Sequence, residues 1–259
     1  MEKIQILVTT HKKYEMPKES YYLPIHVGRD GKESIGYIGD NTGDNISLKN
    51  PYYCELTGVY WAWKNLEADY VGLVHYRRQF KGKNRKINSL FDCILTNKEI
   101  DKLLEKNDII LPKKRKYYIE NLYDHYKHTM YIEPLDITKK IIEEKYPEYL
   151  DNFNKLHKRT SAHMFNMFIM KREYFNRYCE WLFDILGELE KKVDSSQYDS
   201  FHARFYGRVS ELLLDIWIDT NKLKYVEVPV ISMEKVNWLK KGGSFLLAKF
   251  TGKKYGKSF

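Results

Sequence analysis

The chain has 259 residues, enough for a sizeable core and few enough for one domain with insertions. Hydrophobic residues make up 43% of it and aromatic residues 15%, including 22 tyrosines, a composition that excludes intrinsic disorder. A net charge of +9 calls for an anionic partner, and phosphorylated substrates, anionic lipid and nucleic acid all qualify.

In chain order, the β-branched run from Lys3 to Thr10 with its polar stop reads as a first buried strand. Residues 11–51 are rich in Gly, Pro, Asp and Asn and form a long excursion of the kind that is usually functional. Pro51 suits a helix start, and Tyr53, Leu56, Tyr60, Trp63 and Leu66 recur at helical spacing, predicting one helix. A second strand is expected from Tyr70 to Tyr76. Thr96 and Glu99 make a capping-box pattern for a helix to Glu105, and Asp108 to Pro112 reads as a short strand. Helices follow at 120–130 and 136–156, the second with Asp136 as N-cap. The run from His163 to Met170 is apolar with one polar interruption, Asn166, and predicts a continuous strand. A helix from Arg172 to Lys192, a polar loop, a helix from Arg208 to Asp219 and a strand from Lys224 to Ser232 complete the pattern. Alternating strands and helices without internal repeats predict an α/β fold with a mostly parallel central sheet flanked by helices.

Cys54, Cys93 and Cys179 form no CxxC pair, which argues against a zinc knuckle or a disulfide framework and fits a reducing cytoplasm. Met1 leads within a few residues into a strand without a cleavage signal, and no apolar run approaches the roughly 20 residues needed to span a bilayer. The expectation is a protein neither secreted nor integral to a membrane. Residues 235–259 hold seven lysines and no acid, interleaved with Trp238, Leu239, Phe245, Leu246 and Phe250. That composition fits either an interfacial membrane anchor or a solvated tail.

The most informative stretch is Asp69 to Phe80, an apolar strand that ends in His75, Tyr76, Arg77 and Arg78. Strand carboxyl ends open onto the ligand crevice of an α/β protein, so two guanidiniums there point to an anionic ligand such as phosphate. The stretch also resembles the His-Tyr-Arg-Arg signature of a bacterial capsular-polysaccharide synthesis family, a former domain of unknown function grouped with glycosyltransferases. Members carry a strand ending in Thr-His, then a helix reading Glu-x-Thr-Gly-x-Tyr-Trp-x-Trp-Lys-Asn, then a Val-Gly-Leu-x-His-Tyr-Arg-Arg strand. This chain matches all three at Thr10-His11, Glu55 to Asn65 and Val71 to Arg78.

The resemblance implies a GT-A-like, Rossmann-type nucleotide-sugar-binding domain over residues 1–232, with a basic amphipathic tail at 233–259. Donor-binding candidates are Thr9, Thr10, His11 and Lys12 at the end of the first strand, and Asp40 and Asn41 for a ribose. Glu55 and Lys64 join them because the resemblance places them near the nucleotide, while His75, Tyr76, Arg77 and Arg78 face the diphosphate. Most GT-A enzymes hold a divalent metal, manganese or magnesium, on an Asp-x-Asp pair at a strand end. This chain has none there, so metal dependence is open, with His75 as a candidate ion anchor and the two arginines as a metal-free alternative. For the catalytic base, Glu211 is expected in the first turn of the helix after the polar loop, with Asp199 as runner-up. Asn166, His202 and Arg208 are the acceptor-side candidates.

Two functional readings follow. In the first, the chain is a cytoplasmic enzyme, peripheral at the inner face of the cell membrane through its tail, with no nucleic-acid partner. It transfers a hexose from a UDP-sugar to a lipid-linked oligosaccharide in capsular or surface-polysaccharide assembly. The resemblance implies UDP-galactofuranose with inversion to a β-1,3 linkage. In the second, the chain is a non-catalytic basic module that binds nucleic acid or lipid.

Overall fold

The computed structural model describes residues 2–83 and 89–234. The N-terminal half runs β1 (Ile4–Thr10), β2 (Tyr22–His26), β3 (Ile38–Gly39), α1 (Asn50–Tyr53), α2 (Leu56–Asn65), β4 (Tyr70–His75) and β5 (Arg78–Phe80). It continues with α3 (Asn97–Leu104), β6 (Ile109–Pro112), β7 (Arg115–Lys116), α4 (Leu122–Thr129), α5 (Glu133–Lys145), α6 (Leu150–Asn154) and β8 (Ser161–Ala162). The last elements are β9 (Phe168–Lys171), α7 (Arg172–Lys192), α8 (Phe205–Thr220), β10 (Val226–Val228) and β11 (Val230–Ser232).

The main sheet has the order β10-β6-β9-β4-β1-β2-β3, with β5 and β11 paired beyond β4. β1 lies between β2 and β4 and is parallel to both, and β10 is parallel to β6. β9 is antiparallel to both β4 and β6, so β4 and β6 run the same way and their carboxyl ends share one edge with that of β1. The predicted mostly parallel architecture therefore holds, with β9 and the β5–β11 ribbon as its antiparallel members. Both faces of the sheet are covered. Leu7, Ile25, Leu73, Leu111 and Met170 pack with α2, α7 and α8 on one face, while Ile6, Val8, Val74, Ile110 and Ile169 pack with α3 on the other. Two-sided burial explains why β1 and β4 read as unbroken apolar runs rather than alternating ones.

Several elements depart from expectation for local reasons. The single helix predicted from Pro51 is broken into α1 and α2 at Cys54, whose φ of 52° leaves the helical region. Asn50 stabilises the break, its Nδ2 donating to the Cys54 carbonyl at 2.7 Å and to Thr57 Oγ1 at 3.2 Å. The helix predicted at 136–156 instead starts at Glu133, and Pro147, lacking an N–H, opens a 3-10 turn between α5 and α6. Asp136 is consequently not an N-cap and accepts from Tyr123 Oη at 2.8 Å. The strand predicted from His163 begins only at Phe168, because Phe165 and Asn166 both adopt positive φ (77° and 53°) and the His163 N–H donates to Asp215 rather than to a neighbouring strand. Pro229 divides the last predicted strand into β10, which pairs with β6, and β11, which pairs with β5. Finally, α8 begins at Phe205, so Glu211 sits in its second turn and not in its first.

Candidate active site

The carboxyl ends of β1 and β4 open into a cleft of about 870 Å³, whose other walls come from the α1–α2 break, α8, and the segment running from β7 into α4. Its floor is His75. Register pairs Thr9 with His75, and the imidazole places Nδ1 3.2 Å from Thr9 Oγ1 and Nε2 2.6 Å from the Phe165 carbonyl. Burial is the largest influence on the ring and lowers its pKa, so the neutral form donates Nε2–H to Phe165 and turns its lone pair toward Thr9. His75 thus ties β1, β4 and the left-handed turn before β9 together.

A tight turn at Tyr76 and Arg77 connects β4 to β5 and brings both arginines onto the cleft. Arg78 lies 4.5 Å over the Phe165 ring, and burial together with Arg77 pulls its pKa below the usual arginine value. Arg77 is partly exposed, 5.2 Å over the Tyr76 ring and 3.7 Å from Glu234. His11, also on the cleft, has its pKa lowered by burial and then by Arg77, Lys12, Lys32 and Arg204. A ring already pressed towards neutrality by nearby cations marks a field that favours a bound anion.

Glu211 and Glu55 face this basic wall. Glu211 is 5% exposed, and burial raises its pKa above the ordinary carboxyl value. Arg208, with Nη1 3.4 Å from Glu211 Oε1, opposes that rise, and the Glu55 charge adds to it. The same contact raises the pKa of Arg208. Glu55 owes its position to the helix break at Cys54, and its Oε1 accepts from Asn166 Nδ2 at 2.7 Å. Asn166 in turn donates to the Gly207 carbonyl at 3.2 Å and accepts from Ser210 Oγ at 3.0 Å. The left-handed conformation at Asn166, which asparagine tolerates better than most residues, is what lets one amide bridge Glu55 and α8.

The structure therefore gathers Thr9, Thr10, His11, Glu55, His75 and Tyr76 on one cleft with Arg77, Arg78, Arg208 and Glu211. The other candidates lie off its lining. Asp40 is fully buried, and its carboxylate accepts from the N–H groups of Gly28 (2.8 Å) and Arg29 (3.0 Å) and from the hydroxyls of Ser47 and Thr57 (both 2.5 Å). It folds the 27–47 excursion onto α2, and the half-buried Asn41 beside it does not reach the cleft either. Lys64 lies 3.6 Å over the Trp63 ring in the last turn of α2. Lys12 points to Tyr14, Tyr76 and Glu234. Asn166 acts behind Glu55, as described. Asp199 lies just before the 3-10 turn His202–Arg204, accepting from the N–H groups of Phe201 and His202 and pairing with His202 Nδ1 at 2.5 Å. The His202 contact lowers the pKa of Asp199, the wrong direction for a general base.

The residues present do not fit a divalent metal. Among the described residues no group of three or more His, Cys, Asp or Glu side chains converges on one point. Glu55 is held by Asn166, Glu211 faces Arg208, and both nitrogens of His75 are engaged, so His75 does not serve as an ion anchor. Sequence reasoning missed Lys32, Arg204 and, above all, the wall from Arg115 to Met130. The signal for that wall was present: Lys113 to Ile119 is a basic and aromatic run directly after β6, at the same sheet edge as Arg77.

No curated protein matches the chain. The apo structure of WbbM, described as a bifunctional glycosyltransferase, is similar with a TM-score of 0.83 and 33% identity, over 90% of this chain and 46% of that one. This chain thus spans about half the length of WbbM, and the similarity bears out the GT-A-like fold. The model of the family described as "Domain of unknown function (DUF4422)" matches residues 5–222, which is most of the chain, and the protein belongs to that family.

Proposed function

We propose that this chain is a nucleotide-sugar-dependent glycosyltransferase. One observation carries the reading: a buried carboxyl of raised proton affinity, Glu211, shares a cleft with guanidiniums gathered at strand carboxyl ends. In this mechanism Glu211 takes the proton from an acceptor hydroxyl, and the oxygen attacks the anomeric carbon of the donor sugar. The bond from that carbon to the phosphate oxygen breaks, and the nucleoside diphosphate departs with the electron pair. Arg77 and Arg78 neutralise the departing charge by charge-assisted hydrogen bonds, a task performed by a metal in many enzymes. A single displacement of this kind inverts the anomeric configuration.

The finer reading rests on the sequence resemblance, while the similarity to WbbM supports only the glycosyltransferase class. It makes the donor UDP-galactofuranose, the linkage β, and the acceptor a lipid-linked oligosaccharide in capsular or surface-polysaccharide assembly. A basic binding module is less well supported, because the cations converge on a concave site with a buried acid. Among the described residues no helix is long and apolar enough to cross a membrane. The proposed peripheral attachment falls to the tail, whose residues 235–259 lie outside the described ones.

The test is a panel of nucleotide sugars assayed for thermal stabilisation and for transfer, with Arg78→Ala alongside. Stabilisation by UDP and its sugars is expected, together with a loss of turnover of about 10²- to 10³-fold in the variant, the scale for removing one such donor. Stabilisation by duplex DNA but not by any nucleotide would overturn the reading.

A further inference from the structure

The cleft also carries an aromatic surface. The turn after β7 and the first two turns of α4 contribute Tyr117, Tyr118, Ile119, Leu122 and Tyr126 to the cleft that Arg77 and Arg78 line. Tyr118 is 87% exposed and Ile119 51% exposed, so two adjoining apolar side chains present their surface at the cleft. Tyr126 is the reverse case. It is 4% exposed, yet its Oη has no hydrogen-bond partner, and burial raises its pKa, so the hydroxyl remains protonated and able to donate. A buried phenol without a partner is destabilising, a penalty that a ligand hydroxyl would remove.

The turn that carries Tyr118 is fixed. The Glu120 side chain is 4% exposed, and its two oxygens accept from His125 Nδ1 and His128 Nδ1, each at 2.7 Å, which clamps the turn to α4. Tyr117 packs on the His125 ring at 4.1 Å and beneath Arg115 at 5.0 Å. Glu211 is close enough to this wall to influence the Tyr117 hydroxyl. The proposed base therefore shares the cleft with the arginine turn and with an aromatic surface, flanked by Arg115 and Lys116, that suits the apolar face and hydroxyls of a sugar ring. The cleft volume of about 870 Å³ lies towards the upper end of the range for ligand sites, leaving room beside a nucleotide.

We propose, resting on the transferase reading above, that the turn 117–120 and α4 form the acceptor subsite. Tyr118 supplies the stacking platform for the acceptor sugar, Tyr126 Oη hydrogen-bonds one of its hydroxyls, and the Glu120 clamp holds the platform in place. The class of ligand is a saccharide whose ring presents one apolar face.

The experiment is saturation-transfer NMR with a panel of octyl hexosides, octanol as the blank, and UDP present, on wild type, Tyr118→Ala and Tyr126→Phe. Tyr118 is exposed and Tyr126 Oη is unpaired, so neither change should lower the melting temperature. Hexoside binding above the octanol blank is expected in wild type. A loss of about three- to tenfold is expected in each variant, with UDP affinity unchanged. Equal hexoside binding in all three proteins would overturn the subsite and leave the transferase reading standing. Failure of every hexoside to bind wild type would also overturn it, and UDP binding in the same sample would show whether the transferase reading falls too. A marked drop in the melting temperature of Tyr126→Phe would show that the hydroxyl has a structural role and remove it from the subsite.

Discussion

Replacing Asp40 by alanine separates a structural carboxylate from a ligand-binding one. Its two oxygens accept four hydrogen bonds, two from the backbone N–H groups of Gly28 and Arg29 and two from the hydroxyls of Ser47 and Thr57. The hydroxyls can turn to other acceptors, as Thr57 Oγ1 already does towards the Cys54 carbonyl at 3.2 Å. The N–H groups cannot. Gly28 holds a φ of 63°, and a Cβ there would sit 2.4 Å from Asn50 Oδ1, so the turn is fixed against the start of α1 and has little freedom to find new partners. The buried Gly28 N–H at about 3 kcal/mol and the part-buried Arg29 N–H at about 1 kcal/mol give a destabilisation of about 4 kcal/mol. At about 2–4 °C per kcal/mol for a domain of this size, the melting temperature should fall by about 8–16 °C. Thermal unfolding followed by tryptophan fluorescence measures that fall. A UDP titration well below the new midpoint should show nearly unchanged affinity, because the carboxylate lies off the cleft. A fall of under about 3 °C accompanied by lost UDP binding would refute the reasoning and return Asp40 to the ribose.

Two further predictions concern the base and the tail. In the proposed mechanism Glu211 works deprotonated, and its pKa is raised, so kcat/KM should fall with decreasing pH through a midpoint above the ordinary carboxyl value. Glu211→Gln should retain UDP binding, lose turnover by about 10²- to 10⁴-fold and lose that acid limb, while an Asp199→Asn enzyme keeps it; the opposite pattern would move the role to Asp199. For the tail, truncation belongs after Glu234 and not after Ser232, because the Met233 N–H donates to the Arg77 carbonyl at 2.9 Å and Glu234 approaches Arg77 and Lys12. Removing residues 235–259 should release the protein from phosphatidylglycerol vesicles, each lysine near such a surface contributing on the order of 1 kcal/mol. Activity on a soluble acceptor should persist, and equal partitioning of both chains would show that the tail is no anchor.

The sheet and the arginine turn were legible because their signals are local. A short apolar run enriched in β-branched residues and bounded by polar stops reads as a strand covered on both faces, and the polar residues that end such a strand fall at the crevice by topology. What stayed hidden depends on two left-handed positions that are not glycine. Cys54 carries no turn signature, yet its positive φ ends α1 and turns Glu55 onto the cleft. Asn166 sits in a run apolar enough to read as strand, and only the partners supplied by Glu55, Gly207 and Ser210, all remote in sequence, hold it in the left-handed region. Those partners are Glu55, which lines the cleft, and α8, the helix that bears Glu211. Backbone strain of this kind persists only where surrounding contacts over-determine it. At Asn166 the contacts that do so are the ones that bring Glu55 and α8 together. The conformation that defeats a sequence-based strand prediction and the geometry that builds the cleft therefore have one cause, so Asn166 should tolerate replacement least where its amide bridges the two elements.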